Sequence, residues 1–533
     1  MMSKIYTVLI LGGGRFMSKK ITVDPVTRIE GHLKFVTDIK DGIVTDAKCS
    51  AEMYRGIEKA LIGYDARVAG EVSQRICGFC PYSQTEAAAL ALEDAMGIKP
   101  NHNGQLLRNL IVGSYQISDY ILHFYIASAL DFLDIKAILN YKSDDPTLLK
   151  LKSWVQSELK SNKIFPASPF LPRYKAAYAQ SDKYNFTVIK HYLDSMEMIG
   201  SMGKMIAIFG AKAPHPVAIE AGGVTTMPTV DRILEYSKYL DKAEDFVNNK
   251  YYPDIIATCK EFKEYFYIGK GYDNFLSYSY FPDENGQNHL FVGGYSENFE
   301  HYETLDINNI KEDHKYSYYK NYPDADVKPM QFDNLDVLNY EEFEAEHKKE
   351  NGKYSWARAP RYHGNMVEVG PVARIVNTYL SKTNSKLNNL VDKINKKLGI
   401  TIKDYNSVMG RHLCRVISAK IIIDRLKVDL DKIIPNQSGY TDHPIPKNAS
   451  GIGLTEATRG ALAHWIETDE NGLIKNYELV VPTTWNISPR DAKGRLGAVE
   501  KMLVGTKVKD EKNPIELTRI VRSTDPCLGC SVH

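Results

Sequence analysis

Residues 75–82, Arg75-Ile76-Cys77-Gly78-Phe79-Cys80-Pro81-Tyr82, and residues 525–533, Asp525-Pro526-Cys527-Leu528-Gly529-Cys530-Ser531-Val532-His533, each carry a C-x-x-C pair, one near each end of the chain. C-x-x-C at the start of a helix puts two sulfurs on one face, and the helix N-terminus lowers thiol pKa, so both become thiolates suited to soft metals. Pro81 and Pro526 each stand where a helix can begin. Brought together, the pairs would make a four-thiolate site. A closed zinc clip is the ordinary reading of four cysteines. Such clips usually bind within a short stretch, however, whereas these pairs are separated by 447 positions, from 80 to 527. A site spanning that distance needs the whole fold to assemble it. A thioredoxin-type redox pair is a weaker reading, because no βαβ pattern surrounds either motif. Spacing alone therefore favours a metal site without naming the metal.

The remainder of the chain narrows the class. Its 533 residues hold 67 Lys+Arg against 66 Asp+Glu, a formal charge of +1. That balance offers no electrostatic footprint for nucleic acid and no basic face for anionic lipid. With 43% hydrophobic and 25% charged residues the chain reads as globular, not disordered or fibrous. The longest apolar stretches, Tyr6–Gly14 and Tyr120–Leu130, fall short of the roughly 20 residues of a membrane span, and Lys204 interrupts Met198–Ala211. Met1–Phe16 is largely apolar but lacks a small-residue cleavage site, so no secretory signal is expected. Leu11-Gly12-Gly13-Gly14 lacks the GxGxxG spacing of a dinucleotide loop. Met17 opens Met17-Ser18-Lys19-Lys20, which makes the first residues an optional extension: 1–18 stand apart from a single domain over 19–533. Cys49, Cys259 and Cys414 are isolated in sequence and read as small buried hydrophobes.

Periodicity predicts a mainly α (α+β) architecture, multihelical with small peripheral β elements. Short strands are expected from Lys19 to Ser50, with a hairpin turn at Lys40-Asp41-Gly42-Ile43, and again around Asn471-Gly472 between 461–466 and 473–481. Between them the spacing predicts helices over 85–96, 105–135, 186–209, 230–250, 371–398 and 403–426. Apolar residues nearly surround the 105–135 segment, which marks it as a central core helix. Residues 251–354, rich in Tyr, Asp, Asn and Gly, are expected to be irregular or strand-containing, and the charge run 341–349 to be a solvated helix face.

Taken together, the two cysteine motifs resemble the first and last signatures of the large subunit of nickel-iron hydrogenases. Similar segments stand in order along nearly the whole chain: Asp24-Pro25-Val26-Thr27-Arg28-Ile29-Glu30-Gly31-His32, Arg55-Gly56-Ile57-Glu58, Glu368-Val369-Gly370-Pro371, Arg459-Gly460-Ala461-Leu462 and Val481-Pro482-Thr483-Thr484-Trp485-Asn486. The last of these looks most like the respiratory hydrogen-uptake branch. The resemblance implies the large-subunit fold and a buried nickel-iron centre bound by Cys77, Cys80, Cys527 and Cys530. Cys80 and Cys530 would bridge to an iron that carries carbon monoxide and cyanide. It makes Glu30 the first proton acceptor beyond the thiolates, a task that suits a carboxylate whose pKa burial has raised. It places Asp119, Arg459 and Asp525 as a polar set above the metals, and Thr483, with Pro482 beside it, where a hydroxyl meets a cyanide. It also implies magnesium held by Glu58, the Leu479 carbonyl and His533.

The resemblance implies reversible heterolytic cleavage of dihydrogen in the uptake direction. The electrons would go to an iron-sulfur small subunit in an obligate heterodimer, itself able to pair into a dimer of heterodimers. A membrane cytochrome b, nickel chaperones and a maturation protease that cuts after His533 complete the implied partners; no nucleic acid is among them. The implied location is the periplasmic face of the cytoplasmic membrane after co-export with the small subunit, with the cytoplasm as the alternative. A hydrogen-sensing regulatory subunit with slow turnover is the other functional reading, and a metal-free structural relative is disfavoured by the four retained cysteines. Two positions depart from the family pattern: Gln84 and Ala213 stand where many members have histidine. Phe79, where many relatives carry valine, is expected either to narrow gas access or to pack as a core aromatic.

Overall fold

Alternating burial along Leu33–Lys40 follows the period of two expected of a strand with one face on the core. The computed structural model describes residues 7–11, 19–161, 178–320, 322–331, 336–349 and 352–533, without the side chains of 7–11 and 161. The glycines 12–14 and the second start at Met17 lie outside the described residues. Strands β1 (Thr7–Leu11), β2 (Lys19–Asp24), β3 (Leu33–Lys40) and β4 (Ile43–Ala51) form an antiparallel sheet in that order. The expected turn joins β3 to β4, with Asp41 and Gly42 both at positive φ, 53° and 75°.

The helical body contains α1 (Pro81–Met96), α2 (His102–Leu122), α3 (Asp182–Gly210), α4 (Val230–Phe246), α5 (Pro371–Ser381), α6 (Ser385–Leu398) and α7 (Val408–Asp431). α2 is buried on almost every side, as its all-round apolar pattern requires, and packs against α3 and α7. It starts earlier than the periodicity indicates, because the Asn101 side chain caps it by accepting the Gly104 N–H. After Leu122 it continues through a widened turn, His123–Ser128, and a tight one ending at Asp131. The expected 371–398 helix is two helices. Lys382 terminates the first in a left-handed conformation, and Asn384 caps the second by accepting the Leu387 N–H. Pro146–Ser161 is a further helix that the sequence reading did not single out. The 251–354 region opens with a helix at Tyr252–Glu261 before breaking into short strands, and its charge run falls largely on the helix Tyr340–His347, which buries no residue. No described helix is long and apolar enough to cross a membrane.

A second antiparallel sheet, β5 (Ser450–Ala457), β6 (Gly460–Thr468) and β7 (Ile474–Val480), includes the hairpin expected at Asn471-Gly472. β5 lies against α1. Glycine is required where they meet: a Cβ on Gly453 would stand 1.9 Å from the Ala87 carbonyl oxygen. The β5–β6 turn carries Thr458 and Arg459, and it is fastened from α5. Arg374 Nε and Nη2 lie 3.0 and 2.7 Å from Glu456 Oε2, and Nη2 also donates to the Ala457 carbonyl at 2.7 Å. Both side chains of this ion pair are fully buried.

Removing one partner strands the other charge in the core, so Arg374→Ala is expected to cost about 3–5 kcal/mol. Denaturant unfolding of the purified chain, compared with parent, checks this.

Candidate metal centre

Cys80 stands at the N-cap of α1 with Pro81 in its first turn, as the motif predicts. At the other end Pro526 does not open a helix. The short helix is Leu528–Ser531 with Cys527 at its N-cap, because Asp525 takes a left-handed φ of 54° that interrupts any earlier start. The four sulfurs nevertheless converge, all lying within 4.8 Å of one another in a buried cluster. Cys77 Sγ is 3.0 Å from Cys527 Sγ, and Cys530 Sγ is 2.9 Å from both Cys80 Sγ and Cys527 Sγ. Burial pushes the Cys527 thiol well up. Cys77, despite its own burial, is held well down by hydrogen bonds from Cys527, Cys530 and Cys80. Four thiols this close ionise together only when a cation's charge compensates them, and four soft sulfur donors suit a thiophilic metal without selecting among zinc, iron and nickel.

Both cysteine motifs are held by Arg55, which donates to the Ile76 carbonyl and, at 2.8 Å, to the Gly529 carbonyl, each one residue before a cluster cysteine. The resemblance marked Arg55 only as part of a motif; this bridging role is visible only in three dimensions. Glu30 pairs with the C-terminal loop along its backbone, accepting the Leu528 N–H at 2.9 Å. Its Oε2 is 3.1 Å from Cys527 Sγ and accepts the Gly529 N–H at 2.6 Å. A Cβ on Gly529 would meet Glu30 Oε1 at 2.7 Å and the Ile76 carbonyl oxygen at 3.1 Å, so a side chain there would push the Glu30 carboxylate aside. Burial first, then the negative charge of Cys77, raises the Glu30 carboxyl above its ordinary range, against hydrogen bonds from Cys527 and Gly529.

Asp119, Arg459 and Asp525 also meet beside the cluster. Arg459 Nη1 is 3.3 Å from Asp119 Oδ2, its Nη2 is 3.1 Å from Asp525, and its Nε donates to the Asp525 carbonyl at 2.9 Å. Burial pushes Asp119 up to about 6 against the pull of Arg459. Thr483 Oγ1 accepts the Cys527 N–H at 3.0 Å, and Pro482 opens the short helix Pro482–Asn486 that presents it. Phe79 is not a core aromatic: it is 37% exposed, and the Arg459 guanidinium lies 5.7 Å from its ring centre. Ala213 is partly buried against the main core.

Gln84 faces the sulfurs with its amide nitrogen, 3.9 Å from Cys80 Sγ and 3.8 Å from Cys530 Sγ. Its Oε1 is 2.8 Å from His464 Nε2, and His464 Nδ1 is 2.7 Å from the Tyr477 hydroxyl. With the amide N–H groups turned to sulfur, His464 Nε2–H donates to Gln84 and Nδ1 accepts from Tyr477. Burial lowers His464 to about 3, so it is neutral at working pH. A histidine is therefore present one residue further from sulfur than the family pattern places it. The trace of His464 in the sequence is an imidazole in the middle of strand β6, whose residues 460–466 are otherwise apolar.

The three groups of the implied magnesium site also come together: His533 Nε2 is 3.2 Å from Glu58 Oε1, beside the Leu479 carbonyl. Arg358 Nη2 touches all three, at 3.1 Å from Glu58 Oε1, 2.7 Å from the Leu479 oxygen and 2.8 Å from His533 Nε2.

Comparison with known proteins matches residues 55–533 to the family described as nickel-dependent hydrogenase, and residues 20–50 to one described as HoxL-like. The periplasmic [NiFeSe] hydrogenase large subunit of Desulfomicrobium baculatum is 34% identical over 96% of this chain and 95% of its own length. The hydrogenase-2 large chain of Escherichia coli K12 is 33% identical, with 97% of each chain covered. The solved Ni-Fe-Se hydrogenase of D. vulgaris Hildenborough in the reduced state superposes with a TM-score of 0.84 at 33% identity, covering 97% of this chain and 100% of that one.

Gln84→Leu leaves His464 Nε2–H without its acceptor, at an expected cost of about 1–3 kcal/mol. His464→Ala in the same background should add less than it costs alone, which thermal unfolding of the two single variants and the double variant measures.

Proposed function

Because the chain belongs to the nickel-dependent hydrogenase family, as its catalytic large subunit, we propose that it cleaves dihydrogen heterolytically in the uptake direction and delivers the electrons to an iron-sulfur small subunit. The observation that carries this reading is the buried four-sulfur cluster with the Glu30 carboxylate 3.1 Å from one of its sulfurs. A nickel-iron pair held by Cys77, Cys80, Cys527 and Cys530, with carbon monoxide and cyanide on the iron, would supply an open, soft position that polarises hydrogen. Cys80 and Cys530 would hold the metals with the Gln84 amide nitrogen facing both of their sulfurs.

The chain's own groups divide the remaining work. Glu30, with its proton affinity raised by burial, takes a proton from the Cys527 sulfur, and the Gly529 N–H fixes the receiving oxygen. Arg459, clamped between Asp119 and Asp525, holds a fixed positive charge over the cluster. Thr483, set beside Cys527, is the hydroxyl for a cyanide, with Pro482 ordering its turn. Among the described residues Cys49, Cys259 and Cys414 are buried outside the cluster, which supports a partner's clusters as the electron relay. A relative is named periplasmic, and the one from Wolinella succinogenes is named quinone-reactive. These names support a periplasmic, membrane-associated enzyme, and a membrane cytochrome b is the onward acceptor in this proposal. Nickel chaperones and a maturation protease are the partners that such a centre needs for assembly, and a dimer of heterodimers is the proposed assembly.

Infrared spectra of the purified complex, with and without hydrogen, test the reading: carbon monoxide and cyanide bands that shift under hydrogen are expected. Their absence from a fully metallated sample overturns it. Glu30→Gln keeps an acceptor for Gly529 but cannot take a proton, so deuterium exchange between D₂ and water should fall by about 10²-fold or more with the bands retained. Unchanged exchange removes Glu30 from the proton path.

A further inference from the structure

The position expected of magnesium is filled by protein. A single nitrogen, Arg358 Nη2, lies 3.1 Å from Glu58 Oε1, 2.7 Å from the Leu479 carbonyl oxygen and 2.8 Å from His533 Nε2. The other arm is equally engaged, with Nη1 3.0 Å from Glu312 Oε2 and 2.7 Å from Glu478 Oε1. Magnesium needs its oxygen ligands at about 2.0–2.1 Å in a near-octahedral shell. An ion drawing on those three groups would therefore coincide with Nη2. The arginine cannot vacate that place cheaply: its side chain is 2% exposed, and moving it would strip its two charge partners on the Nη1 side as well.

We propose that in this chain the Arg358 guanidinium takes the place of the divalent cation, so that the C-terminal histidine is locked by an arginine and the lock needs no metal. The side-chain chemistry fits that task. The planar fork engages groups on two sides at once, which a single lysine ammonium does not. His533 Nε2 lies 2.8 Å from Arg358 Nη2, while its Nδ1 is 2.5 Å from the Cys530 carbonyl oxygen, so one imidazole links the arginine to the backbone of a cluster cysteine. Arg358 is thus a positioning residue, acting on Cys530 through His533. Glu58 Oε2 and Glu312 Oε1 have no hydrogen-bond partner among the described residues. The competing arrangement, magnesium with Arg358 displaced, would use this spare acceptor capacity, and metal analysis separates the two.

The test uses the assembled heterodimer, exchanged against a chelator and analysed for metals. Nickel serves as the internal standard, so failure of the hydrogenase reading itself would show separately as missing nickel. The expected result is nickel retained, no magnesium or other stoichiometric divalent ion at this site, and no change in thermal midpoint between chelator and added magnesium. Arg358→Ala should then acquire a magnesium-dependent rise in midpoint, as mass action requires of a ligand that binds only the folded chain. One magnesium per nickel in the parent, or a parent midpoint that falls with the chelator, overturns the proposal whether or not the variant folds.

Discussion

Four thiols from opposite ends of the chain share a buried space in which all sulfurs lie within 4.8 Å, and most of the architecture answers to that requirement. Closing a loop of more than four hundred residues is entropically modest beyond its first few tens of residues, because the penalty grows only logarithmically with length. The severe terms are electrostatic: clustered thiolates repel and lose their hydration. Compensation requires a cation and a rigid surround that stops the sulfurs from separating. Arg55 ties the two motif loops to each other, and Glu30 pairs its backbone with the C-terminal loop. The helical body then encloses both.

The surround is built largely from buried arginines. Arg374 pairs with Glu456, Arg411 with Glu368, Arg459 with Asp119 and Asp525, and Arg358 with three glutamates. Such pairs add little net stability over well-packed hydrophobic residues. They do set direction. Each guanidinium accepts only a narrow geometry from its carboxylates, and three of these four sit next to a loop that carries a site residue. The Arg459 pair faces the cluster itself; Arg374 fixes the turn that delivers Arg459, and Arg358 fixes His533.

The resemblance named the four cysteines, Glu30, Asp119, Arg459 and Asp525 as candidates, and the fold brings these side chains together. Long helices and the two glycine-marked hairpins were legible for a different reason, the periodicity of burial. Legibility failed where a local cap or a distant partner decided the matter. Asn384 splits an apparently continuous helix, and Asp525 delays the C-terminal one beyond Pro526. Of the two readings of Phe79, a narrowed gas path or a core aromatic, the second is excluded by its partial exposure beneath Arg459.

The sequence by itself determined the donor set, the spacing of the two cysteine pairs and the helical periods, because these are properties of neighbouring residues. Only the tertiary structure decided that His464 supports Gln84 from 380 positions away, and that Arg358 stands among Glu58, Leu479 and His533. Such contacts depend on which side chains a packed core leaves room for, and that is a property of the whole fold.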